Sequence, residues 1–341
     1  MHQIPLQSFP DVVNQEILRI MTPSEIFLAS MTSEKTMKLI KRNIYKVDEV
    51  GVKISTQGGE IRAAVYIKVK GKTLNVVGMD FEEKGQVLDG FVDWKVINGY
   101  QWISTRHQIQ SIHSFVCDIF NIDASNLSVK FSSDICHSFF DIGTIKKCTI
   151  TDVELESSKS IELFNEQENM NLLIVERSRE VVECGNKDYY QDVPTVIHRN
   201  TQTRVNWFLT RFQGQHGLLE NCFLTGFYVK AFLKFWSENK MSNLVSIIAY
   251  QSVERLFDYE KVLQVLEERV RSSEGNILKA LRVEKPSKKR IYPYKSIIAQ
   301  EHQFEADTFD CDGGYDVVRN SDGKRATIKI SRDYFMFFFW L

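Results

Sequence analysis

The sequence has little proline, no long apolar run and no excess of charge of either sign. Only 6 of its 341 residues are proline, which argues against long proline-rich linkers. The longest uninterrupted apolar run is 335–341, well short of the ~20 residues that a membrane-spanning helix needs. Asp11, Glu16 and Glu25 interrupt any apolar signal segment. We therefore expect a cytosolic or nuclear protein with no membrane association.

The six cysteines are dispersed, and none belongs to a C-x-x-C pair. In a chain of this length, scattered cysteines indicate small buried apolar residues in a reducing compartment. Two Cys/His arrangements could bear chemistry: the adjacent Cys136 and His137, and His113 with Cys117 one helical turn later. Neither supplies the further ligands of a metal site, and the common phosphate-loop, dinucleotide, zincin and nucleophile-elbow motifs are missing. We expect no cofactor and no catalytic residue.

The 43 basic and 44 acidic residues nearly cancel, to a net charge of −1. This balance argues against a dedicated nucleic-acid-binding protein, which usually has a basic excess. It conceals two opposed stretches, with a net charge of −7 over 151–192 and +6 over 271–300. The run 285–290 could be a nuclear-localisation signal or contact phosphate, but a solvated loop is the favoured interpretation.

The N-terminal segment has the clearest local signals. Apolar spacing predicts three short helices between residues 8 and 46. Thr22-Pro23-Ser24-Glu25 has the pattern of a capping box with proline at the first helical position. The apolar residues exceed what a unit of about 40 residues can bury alone. They could pack on the rest of the chain or present a surface to a helical partner, and the pattern leaves both open.

Beyond the helices, the pattern predicts a β-meander over 50–91, a helix over 104–120, and then strands alternating with helices that start at Thr225 and Asp258. A hairpin of 315–319 with 325–330 and a last strand over 334–341 complete the chain. Aromatic residues, 12% of the chain, are concentrated in the C-terminal half, where they would fill thin layers of core. The fold class is α+β, with a degenerate leucine-rich-like arrangement in the second part.

Residues 9–30, FPDVVNQEILRIMTPSEIFLAS, resemble an F-box. They follow that family's order of Leu-Pro, an apolar helix, an x-Pro-x-x-Leu step and a serine before a basic helix, although Phe9 replaces the usual leucine. The whole chain is similar to nematode F-box proteins with a type-2 F-box-associated domain. That likeness rests on the F-box, on FVCDIFN at 115–121, on LT with FLKFW at 224–236, and on GYDVVR with DG and ATI at 314–328.

The resemblance implies an F-box over 5–46 and an F-box-associated, substrate-binding domain over 50–341. It implies a substrate receptor of a Skp–cullin–F-box ubiquitin ligase, which binds a Skp-family adaptor, and through it a cullin, and captures an unidentified target protein. Ubiquitin transfer would occur on a partner, so this chain would contribute proximity and no chemistry. The residues expected to contact the adaptor are Phe9, Pro10, Val13, Ile17, Leu18, Met21, Pro23 and Phe27.

Three other hypotheses stay open. The chain could be an interaction or scaffold protein whose F-box is degenerate, which the change at Phe9 permits. It could be an enzyme with an unrecognised Cys/His site, which would lose activity on substitution of Cys136 or His137. Nucleic-acid binding would rest on 285–294 alone and would depend steeply on salt.

Overall fold

The fold is described from a computed structural model, over residues 6–57, 60–81, 95–96, 100–103, 106–132, 143–153, 167, 169–178, 192–253, 257–271, 281–285, 291–293 and 308–340. Contacts divide the chain into two compact units, made mainly of residues 1–170 and 171–341. The expected substrate-binding domain, 50–341, therefore extends over parts of both units. No helix in the described ranges is long and apolar enough to span a membrane.

The described part of the first unit joins four α-helices to a mixed sheet. Helices α1 to α4 span Asp11–Ile20, Pro23–Ser30, Glu34–Asn43 and Arg106–Phe120. Strands β1 to β7 span Glu49–Gln57, Glu60–Val69, Lys72–Phe81, Lys95–Val96, Tyr100–Ile103, Leu127–Ser132 and Ile145–Val153. The three predicted N-terminal helices and the helix predicted over 104–120 are present.

The predicted meander is the antiparallel set β1–β2–β3. The sheet continues beyond it in the order β7-β6-β1-β2-β3-β5-β4, with β6 parallel to β1 and β7 parallel to β6. Parallel neighbours require a crossover connection, and α4, which contacts β1 and β2, lies in the chain before β6. The meander is thus the centre of a larger sheet.

In the second unit, helices alternate with parallel strands. Strands β8 to β11 span Leu172–Ser178, Thr195–His198, His216–Cys222 and Ser246–Gln251, and helices α5 to α7 span Val205–Arg211, Gly226–Ser237 and Tyr259–Arg271. Strands β12 to β17 span Leu281–Glu284, Ile291–Pro293, Thr308–Asp310, Tyr315–Arg319, Arg325–Ile330 and Tyr334–Trp340. The order β8-β9-β10-β11-β17-β16-β15-β12 is parallel from β8 to β11 and antiparallel after that, while β13 and β14 pair separately.

Aromatic side chains fill the core of the second unit, as expected. Trp236 and Phe232 of α6 meet Phe337 edge-on, with ring centroids 5.2 and 5.0 Å apart. On the other face of the strand, Tyr292 stacks on Phe338 at 4.5 Å. The predicted hairpin is β15–β16, and the predicted last strand is β17. Phe227 departs from the expected core, since 73% of it is exposed.

Candidate functional site

Helix α1 is held by polar contacts at its N-terminal end. Asp11, in its first turn, pairs with Arg42 of α3 and lies 3.4 Å from the Asn43 amide nitrogen. The buried Asn14 donates a hydrogen bond to the Phe9 carbonyl at 3.0 Å, which turns the preceding chain onto the helix. These contacts fix which side of α1 faces inward.

Helix α2 begins with the predicted capping box. The Glu25 amide donates to the Thr22 hydroxyl at 3.3 Å, and the Thr22 amide donates to the Glu25 carboxylate at 2.7 Å. The hydrogen bonds that the Thr22 amide and hydroxyl donate to the Glu25 carboxylate lower its pKa. The capping box sets the start of α2 and therefore the angle between α1 and α2.

The eight residues expected to contact an adaptor differ in their accessibility. Pro10 and Val13 are exposed, and Phe9, Ile17 and Met21 are half-buried. Leu18, Pro23 and Phe27 are buried, with Leu18 fully enclosed and only 1% of Phe27 accessible. These three buried side chains lie in the interior of the first unit, so their contribution is to hold the helices in place.

Two strongly exposed apolar residues of α1 were not among the eight. Val12 is 71% exposed and Ile20 is 83% exposed. Val13, Ile17 and Ile20 follow one another at helical spacing and form one stripe, which we call the α1 stripe. The periodicity that predicted the helix includes Ile20, but periodicity alone cannot say whether a stripe faces the core or solvent.

A cavity of about 570 Å³ lies among α2, α3 and α4. Its apolar lining comprises Phe27, Met31, Met37, Ile112 and Phe115. Glu34 and Asp118, which also line it, pair with Lys38 at 2.6 Å and Lys41 at 2.5 Å. The Phe27 and Phe115 rings meet edge-on with centroids 5.7 Å apart. The volume is that of a small-molecule site, and its carboxylates are already neutralised by lysines of α3.

His113 and Cys117 lie one turn apart on the buried side of α4. The Cys117 sulfur is 3.5 Å from His113 Nε2, and both residues are buried. Burial, with a further contribution from Asp123, raises the pKa of the Cys117 thiol to about 12. Burial also lowers the pKa of His113. A neutral thiol beside a neutral imidazole is a packing contact, because a nucleophilic or ligating cysteine must be a thiolate.

The other sequence candidates give little further chemistry. Cys136, His137 and most of 285–294 lie outside the described residues. Lys285 is exposed, and Tyr292 is packed in the core of the second unit. Among the residues that the structure describes, no group of three or more His, Cys, Asp or Glu side chains could hold a metal ion.

In the described part of the chain, the α1 stripe with Val12 and Pro10 forms an exposed apolar surface on a capped three-helix scaffold. Comparison of the chain with protein-family models, with curated proteins and with solved structures finds no match.

Proposed function

We propose that this chain is the substrate-recognition subunit of a Skp–cullin–F-box ubiquitin ligase, of the nematode kind with a type-2 F-box-associated domain. In this proposal the three-helix segment α1–α3 is the F-box, and a Skp-family adaptor binds it and links it to a cullin. The remaining sheets and helices bind the target protein. The arrangement of sequence motifs supports the family, and the exposed surface of α1 supports the docking site.

The observation that carries the proposal is the apolar exposure of α1. Val12 and Ile20 leave 71% and 83% of their surface in water, and Val13 leaves 39%. Burying apolar surface is worth about 25 cal/mol per Å², so a partner that covered this side would gain several kcal/mol. A short helix with this much exposed aliphatic surface is typical of a protein–protein contact.

The alternation of strands and helices from β9 to α7 supports the second half of the proposal. Four parallel strands with a helix after each of β9, β10 and β11 resemble a short, degenerate leucine-rich-like array. Such arrays present a broad sheet surface on which a protein target can bind. Bringing a target close to the transferring enzyme is enough for function, so the chain needs no catalytic group of its own.

The adaptor contact can be tested with a Val13→Glu, Ile20→Glu double variant in co-purification with a Skp-family adaptor. Placing carboxylates on the α1 stripe should abolish recovery of the adaptor, because each would be desolvated in the complex without a partner. The matched control is Phe227→Glu with Val253→Glu, which places two carboxylates on exposed apolar residues of the second unit and should leave recovery unchanged.

These positions are preferable to Phe27, whose buried ring supports Phe115, so that Phe27→Ala would test folding as well as binding. Equal recovery of adaptor by the folded double variant and by the wild type would overturn the docking site. A wild-type chain that recovers no adaptor would instead favour the scaffold hypothesis.

A further inference from the structure

The sequence motif FVCDIFN, residues 115–121, forms the end of helix α4 and contacts the three-helix segment. Helix α4 ends at Phe120, and Asn121 follows in the left-handed conformation with a φ of 53°. The Ile122 amide donates a hydrogen bond to the Cys117 carbonyl at 2.9 Å, which is the long bond of a Schellman cap. This cap fixes the point at which α4 ends and the direction in which the Asn121 side chain leaves it.

Asp118 and Asn121 both contact Lys41, in the last turn of α3. The Lys41 ammonium is 2.5 Å from an Asp118 carboxylate oxygen. The Asn121 side-chain amide donates a hydrogen bond to the Lys41 carbonyl at 3.1 Å. The last carbonyls of a helix have no partner within that helix, so Asn121 supplies a capping bond to α3. The end of α4 therefore holds one residue of α3 by its backbone and by its side chain.

Two contacts between aromatic rings accompany these polar contacts. Phe115 meets Phe27 of α2 edge-on, with ring centroids 5.7 Å apart. The Phe120 ring lies 6.0 Å from the ring of Tyr45, which follows α3 in the chain. The residues of the motif that contact the three-helix segment in these ways are called the α4 clamp: Phe115, Asp118, Phe120 and Asn121.

The cavity among α2, α3 and α4 gives the polar contacts their importance. Its volume of about 570 Å³ shows that side chains do not fill the space between these helices. Apolar contact is non-directional, whereas hydrogen bonds and close ion pairs require a narrow geometry. The contacts at Lys41 therefore determine the orientation of α3 on α4. They contribute little to global stability, because 32% of the Lys41 side chain and 55% of the Asp118 side chain are exposed.

Lys41 also connects the α4 clamp to the helix that carries the α1 stripe. The next two residues, Arg42 and Asn43, both contact Asp11 in the first turn of α1. On its other side, α4 contacts β1 and β2. A continuous series of contacts thus runs from the sheet of the first unit through α4 and α3 to α1.

We propose that Asp118 and Asn121 are positioning residues for adaptor docking, which hold α3, and through it the α1 stripe, in one orientation on the first unit. The role in docking rests on the proposed function, whereas the restraint on α1 and α3 does not. Without these two contacts the three helices would adopt several orientations. The apparent affinity for a partner that fits one of them falls with the fraction of molecules in that orientation.

The test compares the wild-type chain with an Asp118→Ala, Asn121→Gly variant in calorimetric titration with a purified Skp-family adaptor. Glycine keeps the left-handed conformation at position 121 and removes only the side-chain amide. We expect the Kd to rise about threefold or more. The urea midpoint should stay close to that of the wild type, because a role limited to stability would change the midpoint together with the affinity.

The matched control removes the same kinds of contact from the second unit. Asn221 also has a φ of 53°, and its side-chain amide donates a hydrogen bond to Asn200 at 2.7 Å. Glu238 pairs with Lys240 at 2.6 Å. The Asn221→Gly, Glu238→Ala variant should therefore bind the adaptor with the wild-type Kd.

A charge swap tests whether the ion pair itself positions α3. Asp118→Lys places a second ammonium beside Lys41 and should weaken adaptor binding. Lys41→Glu with Asp118→Lys restores an ion pair of reversed polarity and should recover most of the affinity.

Hydrogen exchange of the free chain tests the α4 clamp without an adaptor. In the Asp118→Ala, Asn121→Gly variant, the amides of α1 and α3 should exchange about threefold faster or more, while those of β1 and β2 keep their protection. Unchanged exchange, an unchanged Kd, an equal loss of affinity in the control, or a swap that recovers nothing would overturn the inference. A wild-type chain that binds no adaptor would overturn the proposed function and the role in docking, while faster exchange in the variant would still support the restraint on α1 and α3.

Discussion

His198 ends strand β9 with its imidazole fully buried, 5.9 Å from the Phe208 ring of α5. In the part of the chain that the structure describes, neither ring nitrogen has a hydrogen-bond partner. Burial, helped by the nearby Arg204 charge, lowers the pKa of His198 to about 3. The imidazole is therefore neutral in the folded protein, and it is a source of instability in acid.

The direction of this effect follows from proton binding. In the unfolded chain His198 takes up a proton near its ordinary pKa of about 6.5, while the folded chain does so only near 3. The part of the folding stability that is linked to His198 is therefore fully present above about pH 6.5 and is lost progressively as the pH falls towards 3. At pH 5 this loss is about 2 kcal/mol for His198 alone.

His198→Leu removes the titration and the two unsatisfied nitrogens. We expect urea unfolding to show the variant at least as stable as the wild type at neutral pH, with its advantage greater by about 2 kcal/mol at pH 5. The control is His198→Gln, which buries an unsatisfied amide and should be less stable than His198→Leu at both pH values. Because it also lacks the titrating imidazole, it should gain the same stability relative to the wild type between neutral pH and pH 5. A gap between wild type and His198→Leu that does not change with pH would show that His198 is not buried in its neutral form.

At the scale of elements, local signals determined the helices better than the sheets. The Thr22 capping box and the spacing of Val229, Phe232 and Trp236 predicted α2 and α6, because caps and the 3.6-residue period act within a few residues. The order of strands depends on contacts between distant segments. The sequence accordingly predicted the β1–β3 meander, but not the parallel addition of β6 and β7.

The candidate surfaces also differ in whether local sequence or distant contacts determine them. Periodicity was enough to find the α1 stripe, but the burial of Phe27 depends on Phe115, which is far away in the chain. The charged residues that the strand register groups on the first-unit sheet have no counterpart in the sequence at all. Lys53, Arg62, Lys130 and Lys147 are separated by long segments, so no run of charge marks them, and only the strand register brings them together.

Strand β1 gives a direct test of how the Tyr66 ring packs across Gly51. Alanine at Gly51 would place its Cβ 2.5 Å from the Tyr66 hydroxyl and 2.7 Å from the Ser128 carbonyl oxygen, where neither a ring packed over the strand nor a backbone atom can yield cheaply. We expect Gly51→Ala to cost about 1–3 kcal/mol in urea unfolding. Gly78→Ala is the matched control in β3, because a Cβ there meets nothing within 4 Å. Equal stability of the two variants would mean that Tyr66 does not lie over Gly51.

At the scale of the whole molecule, the near-neutral net charge and the scatter of cysteines along the sequence do not show where these residues lie in the fold. The total charge of −1 includes the two lysines Lys53 and Lys130, which the strand register places side by side in the first unit. The described cysteines share one environment, since all of them are buried free thiols. Two lie in each unit: Cys117 and Cys148 in the first, and Cys222 and Cys311 in the second. They act as small apolar side chains, as scattered cysteines in a long chain are expected to do.

Thiol titration tests this distribution over the whole chain. Burial raises the pKa of all four thiols, to about 12 for Cys117 and about 11 for Cys311, so hardly any thiolate is present at neutral pH. Because the thiolate is the reactive form and an aromatic disulfide reagent cannot reach a buried sulfur, these four should react only when the protein unfolds. Of the six cysteines, no more than the remaining two should react promptly in the native protein, and all six should react in denaturant. Replacing Cys117 and Cys148 by alanine should lower the count in denaturant by two and leave the prompt native count unchanged; a fall in the native count would place these sulfurs at the surface.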